Sequence, residues 1–126
     1  MQEEKPTGKD VDRFIQDAID TVPQLEALLL VWKARPKSWR LDDLAAALYI
    51  SAEAAKEVVE PLERRGFIAS SAGEFAYNSG PHDDLIAAVD ATYRRELIRI
   101  TRMIHSKASA AVREFARAFL FKKDRD

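Results

Sequence analysis

Residues 41–68, LDDLAAALYISAEAAKEVVEPLERRGFI, decide how this chain folds, because their apolar spacing changes helix axis once and keeps its register on both sides. Leu44, Ala45 and Leu48 fall on one face of a first helix, and Ala55, Val58, Val59 and Leu62 repeat that spacing in a second. Ile50 lies between them and plugs the corner. Ser51 suits the N-cap of the second helix, since its hydroxyl can accept from unpaired amides, and Glu53 sits in the first turn, where the helix dipole favours an anion. Gly66 closes that helix, with Arg64 and Arg65 in its last turn. Pro61 removes one intrahelical hydrogen bond and predicts a kink unless the helix restarts there. The spacing as a whole predicts a helix-turn-helix.

After Gly66 the apolar period drops to two. Phe67-Ile68-Ala69, the turn Ser70-Ser71-Ala72-Gly73 and Glu74-Phe75-Ala76-Tyr77 predict a hairpin with Phe75 and Tyr77 on one face. This succession resembles the winged helix-turn-helix domain of bacterial transcription regulators of the MarR-like and ArsR-like kind. The residues that carry the resemblance are Leu44-Ala45, Leu48, Ile50-Ser51 and the run Leu62-Glu63-Arg64-Arg65-Gly66-Phe67-Ile68, and it covers about a third of the chain. It implies a mainly α fold with a small β-hairpin, extended by N-terminal helices and a long C-terminal helix. It also implies a DNA-binding transcriptional regulator whose second helix enters the major groove of duplex DNA. The DNA-binding residues expected on that basis are Lys37, Arg40, Ser51, Lys56, Glu57 and Arg64, with Arg65 beside them.

The 126 residues fit one domain, and 47% apolar content supplies a modest core. There is no cysteine, which excludes disulfide scaffolds, thiol catalysis and cysteine-ligated zinc. The start, MQEEKPTGK, lacks the apolar stretch of a signal peptide, and the longest apolar run, residues 27–32, is far below a membrane span. A cytoplasmic protein with no stable membrane insertion is expected. Net charge is −1, but residues 1–90 carry 10 Lys/Arg against 17 Asp/Glu, or −7, while residues 91–126 carry 10 against 4, or +6. The positive charge is thus concentrated outside the helix-turn-helix.

In chain order, residues 1–9 read as a disordered tail, residues 10–80 as the winged-helix domain and residues 81–126 as C-terminal helices of the same domain used for dimerisation. Asp10 is the expected N-cap of a first helix carrying Val11, Phe14, Ile15, Ala18, Ile19 and Val22, stopped by Pro23. Pro23 then opens a helix with Leu25, Leu28, Leu29 and Trp32 on its inner face. The basic linker 33–40 leads to a short strand at residues 39–41. Beyond the hairpin, Gly80-Pro81 opens a long helix on which Ile86, Val89, Tyr93, Leu97, Ile100 and Ile104 are spaced 3, 4, 4, 3 and 4 apart. The helix that carries this near-heptad seam extends for roughly 36 Å from Gly80 to Ile104 at about 1.5 Å per residue, and the seam is expected to pair two subunits into a homodimer. A final amphipathic helix carries Val112, Phe115, Ala116, Phe119 and Leu120, and either it folds back on the seam or a second subunit covers it.

Three of the five outward residues of the second helix, Glu53, Glu57 and Glu60, are acidic, and the predicted wing tip has no Lys or Arg. The same fold therefore admits a second function, a non-catalytic protein-protein interaction module whose acidic second helix or basic C-terminal segment binds a protein partner. The cations are then ordinary solvated charges. His82, Asp83 and Asp84 are adjacent and do not converge on one ion, so a capping role is expected there. His105 sits near the end of the long helix, beside Lys107. No phosphate loop, nucleophile elbow or acid-base pair stands out, and the expectation is no enzyme, no cofactor and no metal.

Overall fold

The computed structural model describes residues 5–123. Helix α1, Gly8–Ala18, starts earlier than the sequence suggested: Thr7, not Asp10, is the N-cap. Asp10 N donates to Thr7 Oγ1 (3.3 Å) while Thr7 N donates to Asp10 Oδ2 (2.8 Å), a reciprocal capping box. Residues 8 and 9 thus belong to a helix rather than to the expected disordered tail, whose first four residues lie outside the described ones. The helix also ends earlier than expected, at Ala18. Thr21 caps α2, Val22–Lys33, by accepting from Gln24 N (3.2 Å), so Val22 belongs to α2 and Pro23 occupies its first turn.

α2 is buried nearly all round, through Leu25, Ala27, Leu28, Leu29 and Val31, and packs against the elements that follow it. Strand β1, Trp39–Arg40, leads into α3, Leu41–Leu48; Tyr49 turns the corner in the left-handed region (φ 58°), and α4, Ala52–Arg64, follows. α4 runs as one helix through Pro61 and buries Ala55, Val58, Val59 and Leu62, the four residues the spacing picks out. β2, Ile68–Ser71, and β3, Glu74–Tyr77, form a hairpin in which Ile68 pairs with Tyr77 and Ser71 with Glu74. Its turn is two residues long rather than four: Ala72 and Gly73 both have positive φ (54° and 79°), the twist-matched geometry that a tight hairpin prefers. β1 adds to the far side of β3, which makes an antiparallel sheet in the order β1-β3-β2.

The largest departure from expectation is in the C-terminal helices. The long helix does not run unbroken from Gly80-Pro81: α5 spans Asp83–Arg95, the backbone turns at Glu96 (φ −129°, ψ 47°), and α6 spans Leu97–Lys123. Residues 112–120 continue α6 and do not form a separate helix folded back on it. The break redirects the apolar seam. Ile86, Val89, Ile100 and Ile104 are all buried within the one chain, Tyr93 is half-buried, and Leu97 is 51% exposed. The six residues therefore do not form one continuous exposed stripe, because turning at Glu96 lets α6 lay Ile100 and Ile104 against α1 instead of projecting them outward. Polar contacts fix the turn. Arg99 donates to Glu96 Oε1 (2.9 Å) and to Asp12 Oδ1 (3.0 Å), and the Lys107 ammonium donates to the carbonyls of Ile15 and Ile19 at the end of α1.

Asp90 of α5 is almost fully buried, with Lys33 of α2 at 3.1 Å and Arg94 one turn on at 2.9 Å. No helix among the described residues is long and apolar enough to cross a membrane.

The altered path of the seam separates two neighbouring substitutions. Ile100→Lys places an unpaired ammonium in the core and should destabilise the chain by more than about 3 kcal/mol, enough to unfold it in a thermal melt. Leu97→Lys should leave the melting temperature within a few degrees of wild type, since its side chain already meets water. Equal losses from the two would mean that the helix runs straight through Glu96.

Candidate nucleic-acid interface

The chain between Leu41 and Arg64 is a helix-turn-helix corner held by local geometry. Ile50 N donates to Ala45 O (3.0 Å) to close α3, and Ser51 Oγ accepts from Ala54 N (3.0 Å) to open α4. Ser51, expected among the DNA contacts, has its hydroxyl committed to this cap. With one side of α4 packed on α2, α3 and β2, its other side carries Glu53, Lys56, Glu57, Glu60, Glu63 and Arg64, all exposed. Lys56 and Glu63 border a groove between α4 and the wing, floored by Val59 and closed by residues 70–73. Glu57 lies on the opposite flank, over a second groove lined by Pro23, Ile50 and Pro61. Arg64 stands exposed at the far end of the helix.

The other expected contacts sit apart from α4. Arg40 is exposed on β1, opposite Glu74 of β3. Lys37 is exposed in the loop before it, its ammonium 3.8 Å from the centroid of the Trp39 ring. Arg65 is removed from the set: it turns away from α4 to donate to the Ala18 carbonyl and to Asp20 Oδ2 (3.2 Å), and so fastens the end of α4 to the end of α1. The structure adds one residue that the sequence reading passed over. Tyr49 is 95% exposed at the corner between α3 and α4, and its left-handed backbone keeps the ring out of the core. The only sequence signal was an aromatic one residue before Ile50, at the point where the helical spacing lapses.

The wing is fastened to α5 by a compact polar cluster. Tyr77 Oη donates to Asp83 Oδ1 (2.6 Å), the same oxygen accepts from Gly80 N (2.9 Å), and Asn78 Nδ2 donates to Gly66 O (2.8 Å). The capping role expected of residues 82–84 is not found: no side chain caps α5, and the Asp83 carboxyl instead ties the turn at Gly80 to the wing. His82 occupies the N-cap position without a capping hydrogen bond and instead packs its ring edge-on against Phe67, with centroids 4.9 Å apart. The Tyr77 hydrogen bond, then the Gly80 amide, hold the Asp83 carboxyl below its ordinary value of 3.8. Burial, followed by the bond to Asp83, pushes the Tyr77 hydroxyl upward. His105 is exposed on α6, while Lys107 and not His105 meets a helix C-terminus.

No protein-family model matches the chain, and no curated protein aligns with it significantly. Solved structures do resemble it. Heme-free PefR superposes with a TM-score of 0.51 at 20% identity, over 71% of this chain and 88% of that one. The transcriptional regulator MosR of M. tuberculosis gives 0.49 at 14% identity, over 94% and 87%, and PefR of Streptococcus agalactiae with heme bound gives 0.47 at 20%, over 87% and 84%. The first likeness and the α3, α4 and hairpin geometry together define the class: the fold is a winged helix-turn-helix with helices added before and after it.

A depressed carboxyl pKa contributes stability above the unfolded value, and that stability is lost as pH falls through the folded one. Acid should therefore loosen the wing as pH drops below about 4, and Tyr77→Phe, which removes the main cause, should flatten the acid limb of a melting-temperature profile while costing about 1 kcal/mol at neutral pH. Parallel acid limbs for the two proteins would show that the Tyr77–Asp83 bond does not form.

Proposed function

We propose that this chain is a MarR-like transcriptional regulator that acts in the cytoplasm as a homodimer and binds duplex DNA through α4. The observation that carries this reading is the unoccupied outer face of α4, which stands exposed along its length between a firmly capped corner and a wing tied to α5. A helix in that setting has the dimensions and the exposure to enter a major groove. Lys56 and Arg64 lie on it, while Arg40 on β1 and Lys37 in the preceding loop are exposed apart from it and are assigned to phosphates beyond the groove that α4 enters. Pairing of subunits is supported by the apolar side chains that α6 leaves in water, Leu97, Ile98, Val112 and Phe115. The reading assigns no catalytic step to the chain.

The sign of the charge on α4 favours a second reading. Glu53, Glu57, Glu60 and Glu63 outnumber Lys56 and Arg64 on that face, and carboxylates repel a phosphate backbone. A winged-helix module that binds a basic protein partner uses the same face.

Capture of genomic fragments, followed by fluorescence anisotropy on the enriched duplex, decides between these. Lys56→Glu with Arg64→Glu should weaken duplex binding at least about tenfold without changing the circular dichroism, because both side chains are exposed and engage no core residue. Unchanged affinity would remove α4 from the interface. Binding should fall with salt along a shallow slope, on the order of a handful of released counterions per subunit. A slope near zero at measurable affinity would favour the protein-partner reading.

A further inference from the structure

Two surfaces of this molecule are unusual separately and complementary together. α6 carries seven Lys and Arg against a single acid, Glu114, whereas residues 41–77 carry seven carboxylates against Lys56, Arg64 and the already engaged Arg65. Among the residues of α6 whose side chains are described, those used inside the chain belong to its first turns. Ile100 and Ile104 enter the core and Lys107 caps α1, whereas Val112 and Phe115 are 66% and 74% exposed. The remaining sixteen residues, 108–123, extend for about 24 Å at the helical rise, close to the length of α4. One flank of α6, residues 98, 102, 105, 109, 112 and 113, recurs at helical spacing on the side away from Ile100 and Ile104. That flank joins exposed Ile98 and Val112 to Arg102 and Arg113 and contains no acid.

We propose that this flank of α6 docks on the acidic α4 and wing face of a second copy of the chain. Each subunit lends its arm to the other, so the two contacts close about a two-fold axis rather than growing into a filament. Within one subunit α6 packs against α1 and α5, and the acidic face of α4 stays uncovered, which is why the arm that covers it comes from another copy. Charge selects the partner surface: Arg102 and Arg113 of the flank, with Arg117 one turn beyond Arg113 and 3.7 Å from Glu114 of its own helix, meet Glu53, Glu57 and Glu60, while exposed Tyr49 and Ala52 give Val112 an apolar neighbour. The arm occupies the face a duplex would take, so pairing through the arms and duplex binding exclude one another. This inference rests on the self-association proposed above and goes beyond it: the arm-paired dimer is a DNA-free form of the chain, and a duplex must displace the arms from α4.

Sedimentation velocity on the full chain, at about 0.05 M and about 0.5 M salt, tests it. A dimer that weakens with salt is expected. Glu57→Lys with Glu60→Lys should weaken it about tenfold or more, and Arg113→Glu with Arg117→Glu should do the same, since exposed pairs are individually modest but reversal turns each into a repulsion. Combining all four changes should return the affinity to within about threefold of wild type, because the pairs are restored with opposite sign. Hydrogen exchange should show α4 and residues 108–118 gaining protection together as concentration rises. A dimer indifferent to both reversals, or not restored by their combination, overturns the docking while leaving the homodimer standing. A monomer at every micromolar concentration and both salts overturns the homodimer as well.

Discussion

The burial of α2 is the constraint on which the other elements depend. Its residues Leu25, Ala27, Leu28, Leu29 and Val31 are covered on several sides by α3, α4, α5 and β3, so the helix serves both the helix-turn-helix and the C-terminal helices. Each large apolar side chain fully removed from water contributes about 1.5–3 kcal/mol, and several of them lie in this one helix. The same helix supplies Lys33 to the buried Asp90 of α5. A displacement of α2 would therefore disturb the corner that presents α4 and the helix that holds the wing, through a single shared core.

How much of this was legible in the sequence follows from where the deciding interactions are local. The core face of α4, the Ser51 cap and the pairing of residues 68–77 depend on residues close in sequence, and spacing and turn chemistry identified them. The turn at Glu96 was not legible: residues 83–104 keep a helical apolar period on both sides of it, and the contacts that hold it come from Asp12, Ile15 and Ile19, more than eighty residues away. A periodic pattern reports which face is apolar but not whether that face turns inward or toward a second subunit. The Thr7 cap was missed for a smaller reason. Both Thr7 and Asp10 are good N-caps, and in the capping box Asp10 is the third helical residue, not the cap.

The expected contact residues divide along the same line. Lys37, Arg40, Lys56, Glu57 and Arg64 are exposed as their polarity suggested, but Ser51 is committed to a cap and Arg65 is drawn to the end of α1 by the Ala18 carbonyl and the Asp20 carboxylate, which nothing nearby in sequence announces. Tyr49 escaped notice because an aromatic beside an apolar run reads as core, and only its left-handed backbone places it outside. The electrostatic character of the molecule, in contrast, was visible from composition: an acidic body and a basic C-terminal helix, a division that the fold keeps by projecting α6 away from α4.

In the proposed function the outer face of α4 and the adjoining wing form the surface that meets DNA. Amide chemical-shift mapping of the labelled protein, titrated with the duplex enriched from genomic fragments, addresses it most directly. The largest perturbations are expected in residues 52–64 and 70–73, with Tyr49 moving alongside them and the core of α2 unchanged. Perturbations confined to α6, with α4 and the wing unmoved at saturation, would contradict it.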